Sequence, residues 1–164
     1  MLNPKKLYLV NNLISFIPPS KGYKLKSKLF RWAGVCIGNN VRIISSAKIW
    51  GTGNLIIGDN TFIGHYSKIL MGGSEVRIGK DVDISSMVTI INGTHVKYDT
   101  PNKAAGTGYS KDIIIDDGSW IGATVTILGG AIIGKLTIVG AGATLSRKLE
   151  PNKIYIGSKV QELK

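Results

Sequence analysis

Aliphatic residues recur every six positions in the last third of the chain: Ile115, Ile121, Ile127, Ile133, Val139 and Leu145. Four residues into successive hexads stand Ser119, Val125, Ala131, Thr137, Ala143 and Leu149, most of them small or β-branched. Glycine holds the second place at Gly122, Gly134 and Gly140. A period of six suits neither an amphipathic helix nor an alternating strand. It suits a chain that turns a corner every six residues, with a large and a small residue inward and glycine easing the corner. Such a rung cannot bury its apolar side alone, so rungs must stack into a solenoid. The register begins upstream with Ile37, Ile43 and Ile49, then Ile57, Ile63 and Ile69, then Ile78, Ile84 and Ile90. Slips between Leu55 and Ile57 and around Gly72–Gly73–Ser74 read as corner loops, where insertions cost a solenoid little.

Two stretches stand outside the pattern. Residues 96–112, VKYDTPNKAAGTGYSKD, are polar and without periodicity, which predicts a long, mobile loop excursion with a functional purpose. Residues 7–17, LYLVNNLISFI, predict a helix with Tyr8, Asn11, Asn12 and Ser15 on one arc and apolar residues around the rest. Pro18 and Pro19 end it. A second helix over about 21–33 would align Lys21, Lys24, Lys28 and Arg31, with Leu25, Leu29 and Trp32 on its flank. The chain therefore divides into an N-terminal amphipathic, basic helical segment (1–34) and a mostly β solenoid domain (35–164). The helices suit a solenoid cap, an interfacial anchor on anionic membrane through residues 1–33, or both.

Charge sharpens that division. The net charge is +11, yet no acidic residue precedes Asp59, while residues 1–58 carry nine Lys or Arg. The anionic partner this implies is local to the first third. Nucleic acid is disfavoured, because stacking aromatics are sparse and the basic stripe is short. The single cysteine, Cys36, allows no disulfide within the chain and reads as a small core residue, which places the protein in a reducing cytosol. No apolar run approaches the roughly 20 residues of a membrane span, and the N-terminus lacks a secretory cleavage site. With His65, His95 and Cys36 as the soft ligands, no metal is expected.

Chemistry must come from residues that break the repeat. His95 closes a hexad just before the excursion, and histidine is the usual general base near neutral pH. There is no Ser/His/Asp arrangement, no Cys–His pair and no nucleotide-binding glycine loop; the glycines of IGA and VGAGA belong to rungs.

The hexads, INGTH before the excursion, and SWIGATVTILGGAIIGKLTIVGAGATLSRKLEPN resemble the hexapeptide-repeat acyltransferases over about residues 35–164. The resemblance is in particular to the maltose/galactoside O-acetyltransferase group and its relatives in polysaccharide biosynthesis. It implies a left-handed parallel β-helix, usually a homotrimer, with acetyl-coenzyme A in a groove between neighbouring prisms. By position it implies His95 as the catalytic residue. His65 falls where the sugar-contacting asparagine would stand, and Asn92 joins it in substrate binding. Trp120, Ala123 and Ala141 match the acyl and pantetheine arm, Ser146 and Arg147 the nucleotide end, and Lys164 a C-terminal basic position. The sequence departs from the family at His65, at Gly73 where an acidic residue is usual, and around Ser158–Lys159–Val160.

The expected function is therefore acetyl-coenzyme A-dependent O-acetylation of a sugar hydroxyl in surface polysaccharide biosynthesis, in the cytoplasm or at the inner face of the plasma membrane. N-acetylation of an amino sugar and a non-catalytic β-helix scaffold are the alternatives. A γ-type carbonic anhydrase shares the fold but needs three zinc histidines, and this chain has two.

Overall fold

The computed structural model describes residues 1–157 and 161–162. Its body is a left-handed parallel β-helix of about six turns, the solenoid that the hexads predict with the hand that the resemblance implies. The first rung is β1 (Cys36–Ile37), β2 (Arg42–Ile43) and β3 (Lys48–Gly51), and the second β4 (Leu55–Ile57), β5 (Phe62–Ile63) and β6 (Lys68–Met71). The third is β7 (Val76–Ile78), β8 (Asp83–Ile84) and β9 (Thr89–Ile91), followed by a protruding pair, β10 (Gly93–Thr100) and β11 (Lys103–Ser110). The fourth is β12 (Ile113–Ile115), β13 (Trp120–Ile121) and β14 (Thr126–Leu128), and the fifth β15 (Ile132–Ile133), β16 (Ile138–Val139) and β17 (Thr144–Leu145). The sixth holds β18 (Lys148–Leu149) and β19 (Ile154–Ile156), with β20 (Gln161–Glu162) folding back antiparallel on β19.

Stacking turns three strands per rung into three parallel sheets, A, B and C. The hexad aliphatics meet in register; in sheet B the column is Ile43, Ile63, Ile84, Ile121, Val139 and Tyr155. All of these are buried. Truncating one, as in Ile121→Ala, costs about 2–5 kcal/mol in a close-packed core. The small inward residues carry a second device. Thr61, Ser67, Ser119 and Thr137 donate hydroxyl hydrogens to carbonyls of the next rung, at Gly79, Ser85, Gly134 and Glu150. Each buried hydroxyl is thereby satisfied inside an apolar prism, where an unpaired one would be costly.

The corners differ from expectation. The left-handed backbone conformation falls three residues after the hexad aliphatic, at Asn40, Asn60, Tyr66, Asp81, Met87, Thr124 and Leu136, and not at the glycine in second place. That glycine serves stacking. A Cβ on Gly58, Gly64, Gly122 or Gly134 would lie 2.5–2.7 Å from backbone atoms of the following rung. The two slips also resolve into corners: β4 is regular through Leu55–Ile57, and the extra residues lie at 52–54 and 72–75.

Cys36 is exposed, a correction to its reading as core. Ile37 turns inward in the two-residue strand, so strand alternation puts Cys36 on the outer face.

The N-terminal segment forms α1 (Pro4–Leu13), continued by a short 3-10 turn (Ile14–Phe16), and α2 (Tyr23–Trp32). Asn3 caps α1 by accepting from the Lys6 N–H, and Pro4 stands in the first turn. Both helices cap the first rung: α1 through Leu7 and Val10, its 3-10 extension through Ile14, and α2 through Phe30. The solvent face differs from the expected one. Asn11 is buried, while Leu9, Leu13 and Phe16 are exposed. Lys26 is also buried and donates to the Pro19 carbonyl at 2.7 Å, which ties α2 to the proline turn. Burial pushes its ammonium below the ordinary lysine value. Arg31, expected on a free basic stripe, donates to the carbonyls of Ile37 and Gly38 and so helps hold the cap.

Candidate active site

The excursion over 96–112 is ordered backbone pairing. β10 and β11 form an antiparallel hairpin rooted where sheet C turns into sheet A, with register shifts on either side of Lys97. Its root is clamped to the rung below. The Asn92 side chain accepts from the Gly72 N–H at 2.6 Å and donates to the Ser74 carbonyl at 3.1 Å. Ser110 at the other end of the hairpin pairs with the Ser74 hydroxyl at 2.8 Å. Asn92 is fully buried and both ends of its amide are engaged, so it holds the corner. In this corner the side chain has a positioning role.

His95 stands one step up the hairpin, directly across from Gly108. The imidazole lies against Gly108, where even a Cβ would stand 3.7 Å from Cε1, an ordinary contact distance. Nδ1 lies 2.8 Å from the Gly106 carbonyl oxygen. A carbonyl only accepts, so Nδ1 carries the hydrogen, and in the neutral ring the lone pair is on Nε2. This bond orients the ring and selects the tautomer a general base needs.

His95 borders a cleft of about 660 Å³ whose walls include Leu70, Met71, Ile91, Tyr109 and Ser110. Among the described residues, no carboxylate, lysine or arginine lines it. Gly73 opens on the same space, with nothing within 4 Å of where its Cβ would be. Leu70 and Ile91 are the outward neighbours of inward hexad residues on β6 and β9, paired in register.

The remaining candidates divide between the two edges of sheet C. Ser146 and Arg147 stand on the C-to-A edge, two rungs beyond His95, and both are exposed. On the opposite edge, where sheet B turns into sheet C, lie His65 in the second rung, Ala123 in the fourth and Ala141 in the fifth. Trp120 belongs to this side; its indole N–H donates to the Ser85 hydroxyl at 3.1 Å and its ring is half exposed. His65 Nδ1 lies 3.4 Å from the Ser46 hydroxyl. One chain thus brings His95, Ser146 and Arg147 to one edge and His65, Trp120, Ala123 and Ala141 to the other, with sheet C between. Lys164, like Ser158, Lys159 and Val160, lies outside the described residues.

Sequence reasoning missed Gly106, whose contribution is a backbone carbonyl and has no side-chain signature. It missed Ser74 and Ser110, whose pairing across 36 residues only the fold creates. The apolar wall could have been read from the pattern, since Leu70 and Ile91 each follow a hexad aliphatic. Among the described residues, no group of three His, Cys, Asp or Glu is placed to hold a metal ion.

Residues 112–147 match the family model described as bacterial transferase hexapeptide (six repeats). The galactoside O-acetyltransferase of Lactococcus lactis is 29% identical over 57% of this chain and 45% of its own length. That of Escherichia coli K12 is 31% identical over 63% and 50%. A protein of Escherichia coli K12 whose name assigns it to colanic acid biosynthesis as an acetyltransferase is 29% identical over 85% and 74%. The chain spans about half the length of the first curated relatives it matches. Among solved structures, a hexapeptide-repeat acetyltransferase of Vibrio cholerae superposes with a TM-score of 0.77 at 20% identity, covering 98% of this chain and 89% of that one. A Bacillus cereus N-acyltransferase, in complex with dTDP and coenzyme A, gives 0.65 at 26% identity over 80% and 74%.

Proposed function

We propose that this chain, a hexapeptide-repeat protein by its rungs and by the family model it matches, is an acetyl-coenzyme A-dependent O-acetyltransferase acting on a sugar hydroxyl in surface polysaccharide biosynthesis. The observation that carries this reading is His95, its Nδ1 fixed on the Gly106 carbonyl beside a cleft walled by Leu70, Met71 and Ile91. Nε2 of His95 takes the proton of the acceptor hydroxyl as its oxygen bonds to the acyl carbon. The carbon–sulfur bond then breaks, and His95 returns the proton to the departing thiolate. A backbone N–H at the corner holds the developing negative charge on the carbonyl oxygen.

The donor set suits acetyl-coenzyme A: Arg147 and Ser146 offer a cation and a hydroxyl for phosphate, and Ala123 and Ala141 leave a narrow arm room at the corner. When bound, acetyl-coenzyme A supplies the activated thioester. Because these residues lie on opposite edges of sheet C, the working unit is a homotrimer in which one copy's His95 edge faces its neighbour's Ala123–Ala141 edge. Residues 1–33 bring the enzyme to the inner face of an anionic membrane, where acceptors of surface polysaccharide are assembled.

Two variants test the shared site. His95→Ala and Ala141→Trp, each inactive alone in a thiol-release assay with a panel of sugar acceptors, should regain part of the wild-type rate when the subunits are mixed and reassembled. No recovery, or an active monomer by light scattering, overturns the shared site. Failure to release thiol with any acceptor in the panel, together with no binding of coenzyme A, would leave the scaffold reading. A second reading, N-acylation of an amino sugar, is favoured by the likeness to the Bacillus cereus N-acyltransferase, and acceptors bearing an amine in place of the hydroxyl decide between them.

A further inference from the structure

A second concavity lies away from His95, at the capped end of the prism. It is a groove of about 1010 Å³ between α2 and the corner that joins β1 to β2, bordered by Lys24, Lys28, Arg31, Arg42, Asn39 and Asn40. Its cations come from two elements that the fold alone juxtaposes. Arg31 is held in place by its bonds to the Ile37 and Gly38 carbonyls, and Arg42 lies over the Phe62 ring at 5.0 Å. Two carboxylates adjoin this corner, and both are engaged. Asp59 accepts from the Asn39 N–H at 2.6 Å and lies 4.0 Å from Lys80, and Asp83 stands 3.9 Å from Arg42. Planar guanidinium and flexible ammonium groups converging with amide side chains are the donor set of a phosphate site.

The surface beside the groove is apolar. Leu9, Leu13 and Phe16 follow one another along a single face of α1 and its 3-10 extension, exposed by 50%, 52% and 88%. Lys6, one turn before Leu9 on that face, sits 4.7 Å over the ring of Trp32, so α2 adjoins the same surface. Leu25 and Trp32 are half exposed there, and Leu25 also borders the groove. An exposed apolar stripe next to clustered cations is the chemistry of a helix lying in a lipid headgroup layer.

We propose that this groove seats the phosphate headgroup of an anionic membrane lipid, while Leu9, Leu13, Phe16 and Trp32 enter the acyl boundary. The inference rests on the membrane contact proposed above and adds to it a built site for phosphate, where diffuse charge attraction would not distinguish one anion from another. The active site then works at a fixed height above the lipid surface.

Flotation of the full chain tests it with three vesicle types: phosphatidylcholine alone, phosphatidylcholine with phosphatidic acid, and phosphatidylcholine with fatty acid at equal surface charge. Phosphate-bearing vesicles should bind best, inorganic pyrophosphate should displace the protein from them, and Lys24→Glu with Lys28→Glu should weaken that binding by about tenfold or more. Phe16→Ser with Leu13→Ser should weaken binding to every vesicle type. Equal binding to carboxylate and phosphate vesicles, or no effect of the lysine changes, overturns the phosphate seat and leaves membrane attachment standing. Binding to no vesicle overturns both, and pyrophosphate binding without flotation makes a free phosphate compound the ligand and overturns the lipid. Circular dichroism and melting of each variant should match the wild type, because Lys24, Lys28, Leu13 and Phe16 are exposed. A variant that fails to fold is replaced by Lys24→Gln with Lys28→Gln.

Discussion

The side chain of Asn11 makes with Ile49 the pair of hydrogen bonds that another strand would make. Nδ2 donates to the Ile49 carbonyl at 2.8 Å, and Oδ1 accepts from the Ile49 N–H at 3.2 Å. Ile49 lies on β3, the edge strand of sheet C, so a helix closes an edge that would otherwise template another chain. Lys48 reinforces the joint by donating to the Asn11 carbonyl and the Ser15 hydroxyl. Asn11→Leu should keep the volume but strand two buried backbone groups, costing about 2–4 kcal/mol in urea unfolding. A change below about 0.5 kcal/mol would mean that water or a relaxed backbone replaces the amide.

His95→Ala should lower kcat by about 10²–10⁴-fold while leaving coenzyme A affinity and Tm nearly unchanged. His65→Ala should act on acceptor KM, because that histidine stands on the edge assigned to a neighbour's site. Turnover of the true acceptor by His95→Ala within threefold of the wild-type rate would remove the base mechanism proposed here.

Glycines separate into two kinds by what a methyl group would meet. Gly58→Ala forces its Cβ to 2.5 Å from the Gly79 carbonyl carbon, and both sides of that clash are backbone. It should cost about 1–3 kcal/mol or more. Gly73→Ala has open space, so its Tm should stay within about 1 °C while the methyl narrows the His95 cleft and raises acceptor KM. Equal melting losses for both would show that stacking clearance is not what the second hexad place provides.

Asp117 carries the pH signature of the corners. The Lys80 backbone N–H holds its carboxyl below the usual carboxylate range, against an opposing desolvation and with further help from the Lys135 and Lys80 charges. A depressed folded value contributes stability above the ordinary carboxylate pKa and loses it as pH falls through the folded one. Asp117→Asn should therefore narrow the gap between melting at pH 7 and in acid, by less than about 1 kcal/mol because the side chain is half exposed. A melting profile parallel to the wild type from neutral pH into acid would exclude this contribution.

The repeat made the prism legible. Ile115, Ile121 and Ile127 each open a hexad because one inward position per face recurs every rung, and the same arithmetic placed Ile43 beneath Ile63. Pro18 and Pro19 likewise announced the break between the helices. The direction of each helix face was less legible, because α1 buries an asparagine for its hydrogen bonds and exposes Leu9, Leu13 and Phe16. Hydrophobicity alone misassigns such a helix whenever the surface it docks on is an open backbone edge.

By itself the sequence determined the solenoid, its corner every six residues, the place of the excursion and the histidine beside it. These follow from local spacing, which each rung repeats whatever its neighbours are. Tertiary structure alone decided that residues 93–110 pair as a hairpin, that Asn92 is spent clamping Gly72 and Ser74, and that Gly106 orients His95. It also decided that the candidate residues fall on two edges of sheet C. The reason is physical: backbone carbonyls and corner positions carry no side-chain signal, and contacts between distant residues exist only once the rungs have stacked.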